Sequence, residues 1–234
     1  MAKIIQYTSG MSNGFFVIDE GIIAVDTGSE CGEDVFLDIC KNHGIDPKTI
    51  KLIVITHGHV DHFMNVGAMK KLTRAPVLCH KEAERFLKNG LFPEIIGRNE
   101  LGRKIIADQE VTGSPCASVP KITPDIVWSG SEYNLTPWGI DGKILHTPGH
   151  SKCSTAVAVC SCGAIVGDTI VESLETGIRG LTYFTYSLGN DEEIIKSVHT
   201  ILENADLMYS GHGNPFLKAE VYGILKKESE TVDE

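Results

Sequence analysis

Five histidines and two aspartates in this 234-residue chain fall at spacings that suit a pair of metal ions. The densest run is His57-Gly58-His59-Val60-Asp61-His62, directly after the apolar stretch Leu52-Ile53-Val54-Ile55. His150 follows in Thr147-Pro148-Gly149-His150-Ser151, Asp168 in Gly167-Asp168-Thr169, and His212 in Gly211-His212-Gly213. His57 and His59 are two apart, so in an extended chain their imidazoles point to one side and can bind one ion together. Asp61 and His62 come where the chain must turn from strand into helix, which aims them at a second point nearby. Two ions held ~3.5–4 Å apart need an oxygen bridge to offset their repulsion. Asp168 is the carboxylate suited to that bridge, with His150 completing the first ion's ligands and His212 the second's. Imidazole and carboxylate without thiolate suit zinc, iron or manganese, and two divalent ions, zinc foremost, are expected. Structural zinc prefers closed, cysteine-rich shells, so this set reads as catalytic.

Each candidate ligand lies at the end of a predicted strand. Ile4–Thr8, Gly14–Ile18 and Ile22–Asp26 are β-rich runs separated by turn residues, and 51–56 is a near-continuous apolar strand of the doubly buried kind. Helices are predicted over Asp34–Asn42, Phe63–Leu72 and Lys81–Lys88, with a short strand at Pro76–Cys79. Further strands fall at Ile126–Trp128, Ile144–His146, Thr155–Cys160, Ala164–Gly167 and Leu207–Ser210. Asn190 and Glu193 form a capping-box-like start to a helix that ends near Asn204. The charged end, Lys226–Glu234, is expected to fray. Residues 90–123 break the rhythm with Pro93, Gly97, Gly102 and Gly113-Ser114-Pro115, yet carry the apolar pairs Ile95-Ile96 and Ile105-Ile106. That much aliphatic surface reads as an inserted helical excursion, serving as a lid or substrate wall or as a homo-oligomer contact. Strands first, then alternating strands and helices, suggest a single α/β domain, 1–234, of two packed sheets with helices outside, a four-layer αββα sandwich.

Bulk properties narrow the partners. A formal charge of -10 argues against nucleic acid or an anionic membrane, leaving a small-molecule substrate. No apolar run nears the ~18 residues of a membrane span, and the first residues lack a signal peptide's apolar core, so a cytoplasmic chain is expected. Seven cysteines without framework spacing read as free thiols, and Cys160-Ser161-Cys162 as turn chemistry rather than a metal site. Arg98, Arg103, Lys104 and Arg179 are candidates to meet an anionic substrate, with solvated surface charge as the default for each. Among the other histidines, His43 closes one helix, His80 opens another and His199 lies inside a third. His146 is a candidate to back the ligands from behind.

The motifs His57-x-His59-x-Asp61-His62, Thr147-Pro148-Gly149-His150, Gly167-Asp168 and Gly211-His212-Gly213, with the early strand ending in Asp26-Thr27-Gly28, resemble those of the metallo-β-lactamase-fold metallohydrolases. The resemblance implies the αββα sandwich with metals at one edge: His57, His59 and His150 on one ion, Asp61, His62 and His212 on the other, and Asp168 bridging. It further implies that Asp26-Thr27-Gly28 supports the site from behind. True β-lactamases of the best-known subclasses use cysteine where Asp168 stands, or lack Asp61, so antibiotic hydrolysis is not expected. Quorum-lactone hydrolases of this family often place a tyrosine where Val171 stands, which leaves Tyr183 and Tyr186 as residues that could reach the site. The expected function is hydrolysis of a small ester, thioester, lactone or phosphodiester by a metal-bridging hydroxide, with Asp61 both ligating and orienting the nucleophile. The alternative is an iron-dependent oxygenase resembling persulfide dioxygenases, with His57, His150 and Asp168 as the iron ligands.

Overall fold

The computed structural model of the chain describes residues 2–112, 119–173 and 176–230, and for 109–112 the backbone alone. Two six-stranded sheets dominate. The first runs Lys3–Ser9, Ser12–Ile18, Ile22–Val25, Ile50–Val54, Val77–His80, Ile126–Trp128 in spatial order, antiparallel at the start and parallel from the third strand on. The second runs Phe216–Leu217, Leu207–Tyr209, Gly163–Ile165, Thr155–Val159, Gly142–His146, Glu132–Asn134.

Alternation of side chains explains why these sheets stack. Phe15, Val17, Ile23, Val25, Leu52, Val54 and Leu78 meet Ile144, Val157, Val159 and Ile165 of the other sheet in one buried cluster. The intervening residues, Phe16, Ala24, Ile53, Val77 and Cys79, face the opposite way. They pack under Phe36 and Cys40 of helix Glu33–Asn42, Phe63 and Met69 of the helices after the histidine run, and Ala83 and Leu87 of helix Lys81–Asn89. Across the second sheet, Leu145, Ala156, Ala158, Ala164 and Met208 pack under Ile194, Val198, Ile201 and Leu202 of helix Asp191–Asn204. A strand buried on both faces must be apolar throughout, which is why 51–56 lacks alternation. The layers are therefore helix, sheet, sheet, helix.

Several elements differ from the sequence expectation. The helix predicted over Phe63–Leu72 is two pieces, Val60–Phe63 and Val66–Thr73. Asn65 interrupts it by bonding both the N–H and the carbonyl of Gly32 through its side chain and taking Thr27 Oγ1 on its own N–H. The capping box at Asn190 does not form, because Asn190 makes no side-chain cap bond. Its amide bonds the Gly149 carbonyl at 3.2 Å and accepts from Thr185 Oγ1 at 2.6 Å, so it steadies the turn before His150 instead. The charged end is helical from Lys218 to Glu230, anchored by Val221. Residues 231–234 lie outside the described residues, as do Gly113-Ser114-Pro115 and Cys116.

The insertion holds helix Glu100–Thr112 and a two-residue strand, Ile96–Gly97, that pairs with Phe184–Thr185. Arg98 is fully engaged there, bonded by Nε to Asp191 and by Nη2 to Glu228, so it is not a substrate contact. Arg103 and Lys104 are exposed, and earlier in the insertion Leu91, Phe92 and Ile95 leave apolar surface uncovered. Cys160 and Cys162 flank a turn with Ser161 at φ 65, and Cys162 Sγ meets the Ala2 carbonyl. Among the described residues no helix is long and apolar enough to cross a membrane.

Candidate metal centre

Strand direction brings the ligands together. Strands Ile22–Val25 and Ile50–Val54 run parallel, so Asp26 and the His57 run emerge at the same edge. In the second sheet Gly163–Ile165 and Leu207–Tyr209 run parallel too, which delivers Asp168 and His212 side by side. Strand Gly142–His146, antiparallel to Thr155–Val159, points the same way and leads to His150. Ligand sites at the carboxyl ends of strands are the general rule for open α/β sheets. Backbone bonds then stitch the loops: Gly211 N–H to Gly167 O at 2.8 Å, Asn13 N–H to Gly211 O at 2.8 Å, and Thr155 N–H to Thr56 O at 3.0 Å. Gly211 is required by space, since a Cβ there would lie 2.2 Å from Asp168 Oδ1 and 2.6 Å from His62 Cε1.

All seven predicted residues converge. His57, His59, His150 and Asp168 form one group and Asp61, His62 and His212 another, with potential ligand atoms within 4.8 Å of one another in each. In the second group His62 Nε2 lies 3.4 Å from Asp61 Oδ2 and 3.3 Å from Asp168 Oδ1. His212 Nε2 lies 3.3 Å from Asp61 Oδ2 and 3.2 Å from Asp168 Oδ2. In the first, His59 Nδ1 is 3.1 Å from His57 Nε2 and 2.8 Å from His150 Nε2, while Asp168 Oδ2 stands 3.8 Å and 3.7 Å from those two Nε2 atoms. A tetrahedron of ligands about 2.0–2.1 Å from zinc has edges of about 3.3 Å, so both groups are shaped for an ion. Two buried atoms, His62 Nε2 and Asp168 Oδ1, have no hydrogen-bond partner, a costly state that a cation would relieve.

The opposite ring nitrogens decide which atoms face inward. Asp26 Oδ2 accepts from Thr56 Oγ1 at 2.7 Å and from His62 Nδ1 at 2.8 Å. With its own proton committed to Asp26, the Thr56 hydroxyl accepts from His57 Nδ1 at 3.0 Å. Likewise Thr182 Oγ1 donates to the Phe184 carbonyl and accepts from His150 Nδ1 at 2.7 Å. The Met11 carbonyl accepts from His212 Nδ1 at 2.8 Å. Four imidazoles are thus held by an Nδ1–H bond with Nε2 turned into the centre, the arrangement that orients metal-binding histidines. His59 alone presents Nδ1 inward.

Charge within the cluster is complementary. Burial pushes His57 well below the usual imidazole range, with His62 adding to the effect, and takes His59 down to about 3 with help from His150. Burial lowers His150 as well. Burial would raise Asp61 and Asp168, but His62 and His212 outweigh it and hold both carboxyls well below their usual range. The converse holds at His62 and His212, where burial would lower the pKa but Asp168 and Asp61 outweigh it, joined at His62 by Asp26. His62 is held well above the usual range and His212 is raised to about 10. At pH 7 the ion-free chain therefore holds His62 and His212 as imidazolium and His57, His59 and His150 as neutral imidazole. Cation uptake should expel about two protons per chain and weaken as pH falls, which calorimetry in buffers of differing ionisation enthalpy would register.

Other candidates fall elsewhere. Tyr183 donates to the Ile178 carbonyl and Tyr186 to Glu193, so neither hydroxyl serves the centre. Arg179 is bound by Glu172, Glu220 and the Pro215 carbonyl rather than facing a substrate. His146 stacks on His80 at 4.0 Å and bonds the Lys152 carbonyl, one residue beyond Ser151, instead of touching a ligand. Spacing missed Thr56 and Thr182, which fix two of the histidines, and Cys153, whose thiol accepts from Gly58 N–H between the first two histidines, and it gave Asn190 a different role.

The sequence matches the metallo-β-lactamase superfamily over residues 7–198. The chain belongs to that superfamily. A probable metallo-hydrolase of Methanocaldococcus jannaschii is 25% identical over 86% of this chain and 87% of its own length. Human metallo-beta-lactamase domain-containing protein 1 is 25% identical over 84% of this chain and 59% of its own. Among solved structures, TTHA1623 in a di-iron-bound form aligns with a TM-score of 0.66 at 18% identity, covering 92% of this chain and 95% of that one. The archaeal superfamily protein ST1585 from Sulfolobus tokodaii also gives 0.66 at 18% identity, covering 97% and 86%. These likenesses establish the αββα metallo-β-lactamase fold, and with the His/Asp cluster they mark a metal-dependent, hydrolase-type scaffold.

Proposed function

We propose that the chain is a binuclear metal-dependent hydrolase of a small ester, thioester, lactone or phosphodiester. The observation that carries this reading is Asp168, whose Oδ2 faces His57 and His150 on one side and His212 on the other. His57, His59 and His150 would hold one divalent ion, Asp61, His62 and His212 the other, with Asp168 shared. Bound there, two such ions supply Lewis acidity and hydroxide at neutral pH. Asp61 and His212 are the most open ligands, with side chains 18% exposed against 8% for Asp168 and 0% for His62. Substrate therefore enters beside them, under the exposed Met11 whose carbonyl fixes His212. Asp61 orients the attacking water by accepting its hydrogen bond, while the buried histidines keep the site walls fixed. Zinc is the favoured metal on ligand chemistry, and iron and manganese suit the same donors.

The oxidative alternative needs only His57, His150 and Asp168, leaving the closely set Asp61, His62 and His212 without a task. Hydrolysis accounts for all seven. Zinc-loaded protein should cleave at least one of a thioester, a lactone and a phosphodiester series without consuming oxygen. Oxygen uptake by the iron-loaded chain, with no hydrolysis under either metal, would overturn the reading.

A further inference from the structure

Glu172 and Arg179, the second read from sequence only as a candidate anion contact, tie three ligands into one unit. Strands Ile170–Glu172 and Arg179–Leu181 form a small antiparallel hairpin that starts two residues after Asp168. Glu172 Oε2 accepts from the backbone N–H of Asn214 at 2.9 Å and the Glu172 N–H donates to the His212 carbonyl at 3.3 Å. From the opposite strand, Arg179 Nη2 donates to the Pro215 carbonyl at 2.7 Å, its Nη1 lies 3.5 Å from Glu172 Oε2, and its guanidinium lies 3.8 Å from the Phe216 ring centroid. The segment 212–216 is thereby gripped at four residues, His212, Asn214, Pro215 and Phe216. The hairpin ends at Thr182, which is buried, bonded by its N–H to the Thr169 carbonyl, and supports His150 through its hydroxyl.

We propose that Glu172 and Arg179 are positioning residues for His212, and that this hairpin sets the spacing between the two ion positions from Asp168. Neither residue touches a ligand side chain. Their effect passes through the backbone of 212–215, so it falls on the Asp61/His62/His212 position, whereas Thr182 acts on His150 and the other one. Partners standing behind metal ligands typically change ion affinity about 10–100-fold when removed. The inference rests on the binuclear reading, and the test separates the two.

Ion-free protein is titrated with Zn²⁺ against a competing chelator. Wild type should take two equivalents. Arg179→Met, which keeps an apolar chain over Phe216, should bind one equivalent as wild type does and the other about 10–100-fold more weakly. Arg179→Lys should recover part of that loss, and adding Arg179→Met to His212→Ala should cost nothing further. Thr182→Val should weaken the opposite equivalent. If Arg179→Met does not fold, Glu172→Gln carries the same expectation with a smaller loss. Unchanged binding of both equivalents in Arg179→Met, or in Glu172→Gln where that variant stands in, overturns the positioning role. A wild type that never takes a second equivalent overturns the binuclear reading instead.

Discussion

Asp168→Ala should abolish hydrolysis, by at least about 10³-fold, and leave the chain unable to hold two ions. The size of the effect follows from position. Asp168 offers Oδ1 to His62 at 3.3 Å and Oδ2 to His212 at 3.2 Å, and the same Oδ2 faces His57 and His150. Removing it deprives both groups of a ligand and leaves any pair of cations without a bridging carboxylate. Losing any one histidine subtracts from a single position. His59→Ala, for example, should leave Asp61, His62 and His212 in place and spare one ion. Metal content and turnover measured on the same preparations give the comparison, and Asp168→Ala should rank below every single histidine variant in turnover and above none of them in metal content.

The second large effect concerns stability rather than turnover. Asp26 is fully buried, and its carboxylate accepts from Thr56 N–H at 2.8 Å, Thr56 Oγ1 at 2.7 Å and His62 Nδ1 at 2.8 Å. Asp26→Ala leaves three buried donors without an acceptor, a loss of about 3–5 kcal/mol. Asp26 also has φ 56, a left-handed conformation that Asp tolerates and Ala does not, which adds to the cost. Asp26→Gly relieves that backbone strain while losing the same bonds, so it should be the milder of the two. Thermal unfolding of ion-free protein should show a drop of roughly 10 °C for Asp26→Ala. An unchanged melting temperature would mean that water replaces the carboxylate at no cost.

How much of this was legible in the sequence depended on how local the signal was. His57, His59, Asp61 and His62 lie within six residues, so their spacing alone predicts two aim points, and the structure sets His62 and His212 3.2–3.4 Å from the carboxylates of Asp61 and Asp168. The sandwich was legible because alternate residues such as Phe15 and Phe16, or Leu52 and Ile53, serve opposite clusters, which demands apolar runs buried on both faces. Strands of two or three residues, such as Ile96–Gly97 and Phe184–Thr185, carry no periodicity and exist only because each pairs with the other. Thr182 lacks any local mark, since its partner His150 is 32 residues away. Asn190 misled for a related reason: its sequence suits a helix cap, but the Gly149 carbonyl 41 residues away claims its amide. Arg98 reads as a surface cation because Asp191 and Glu228 come from distant helices, and Arg179 because Glu220 comes from a distant helix and Glu172 from across a three-residue strand pair.

Quantifying tightly bound metal per chain, on protein reconstituted with Zn²⁺ and passed through a desalting column, tests the central claim most directly. Two ions per chain, falling to one or none in Asp168→Ala, is the predicted result. Retention of a single ion by the wild type, or of two ions regardless of Asp168, would contradict a shared carboxylate at the heart of the site.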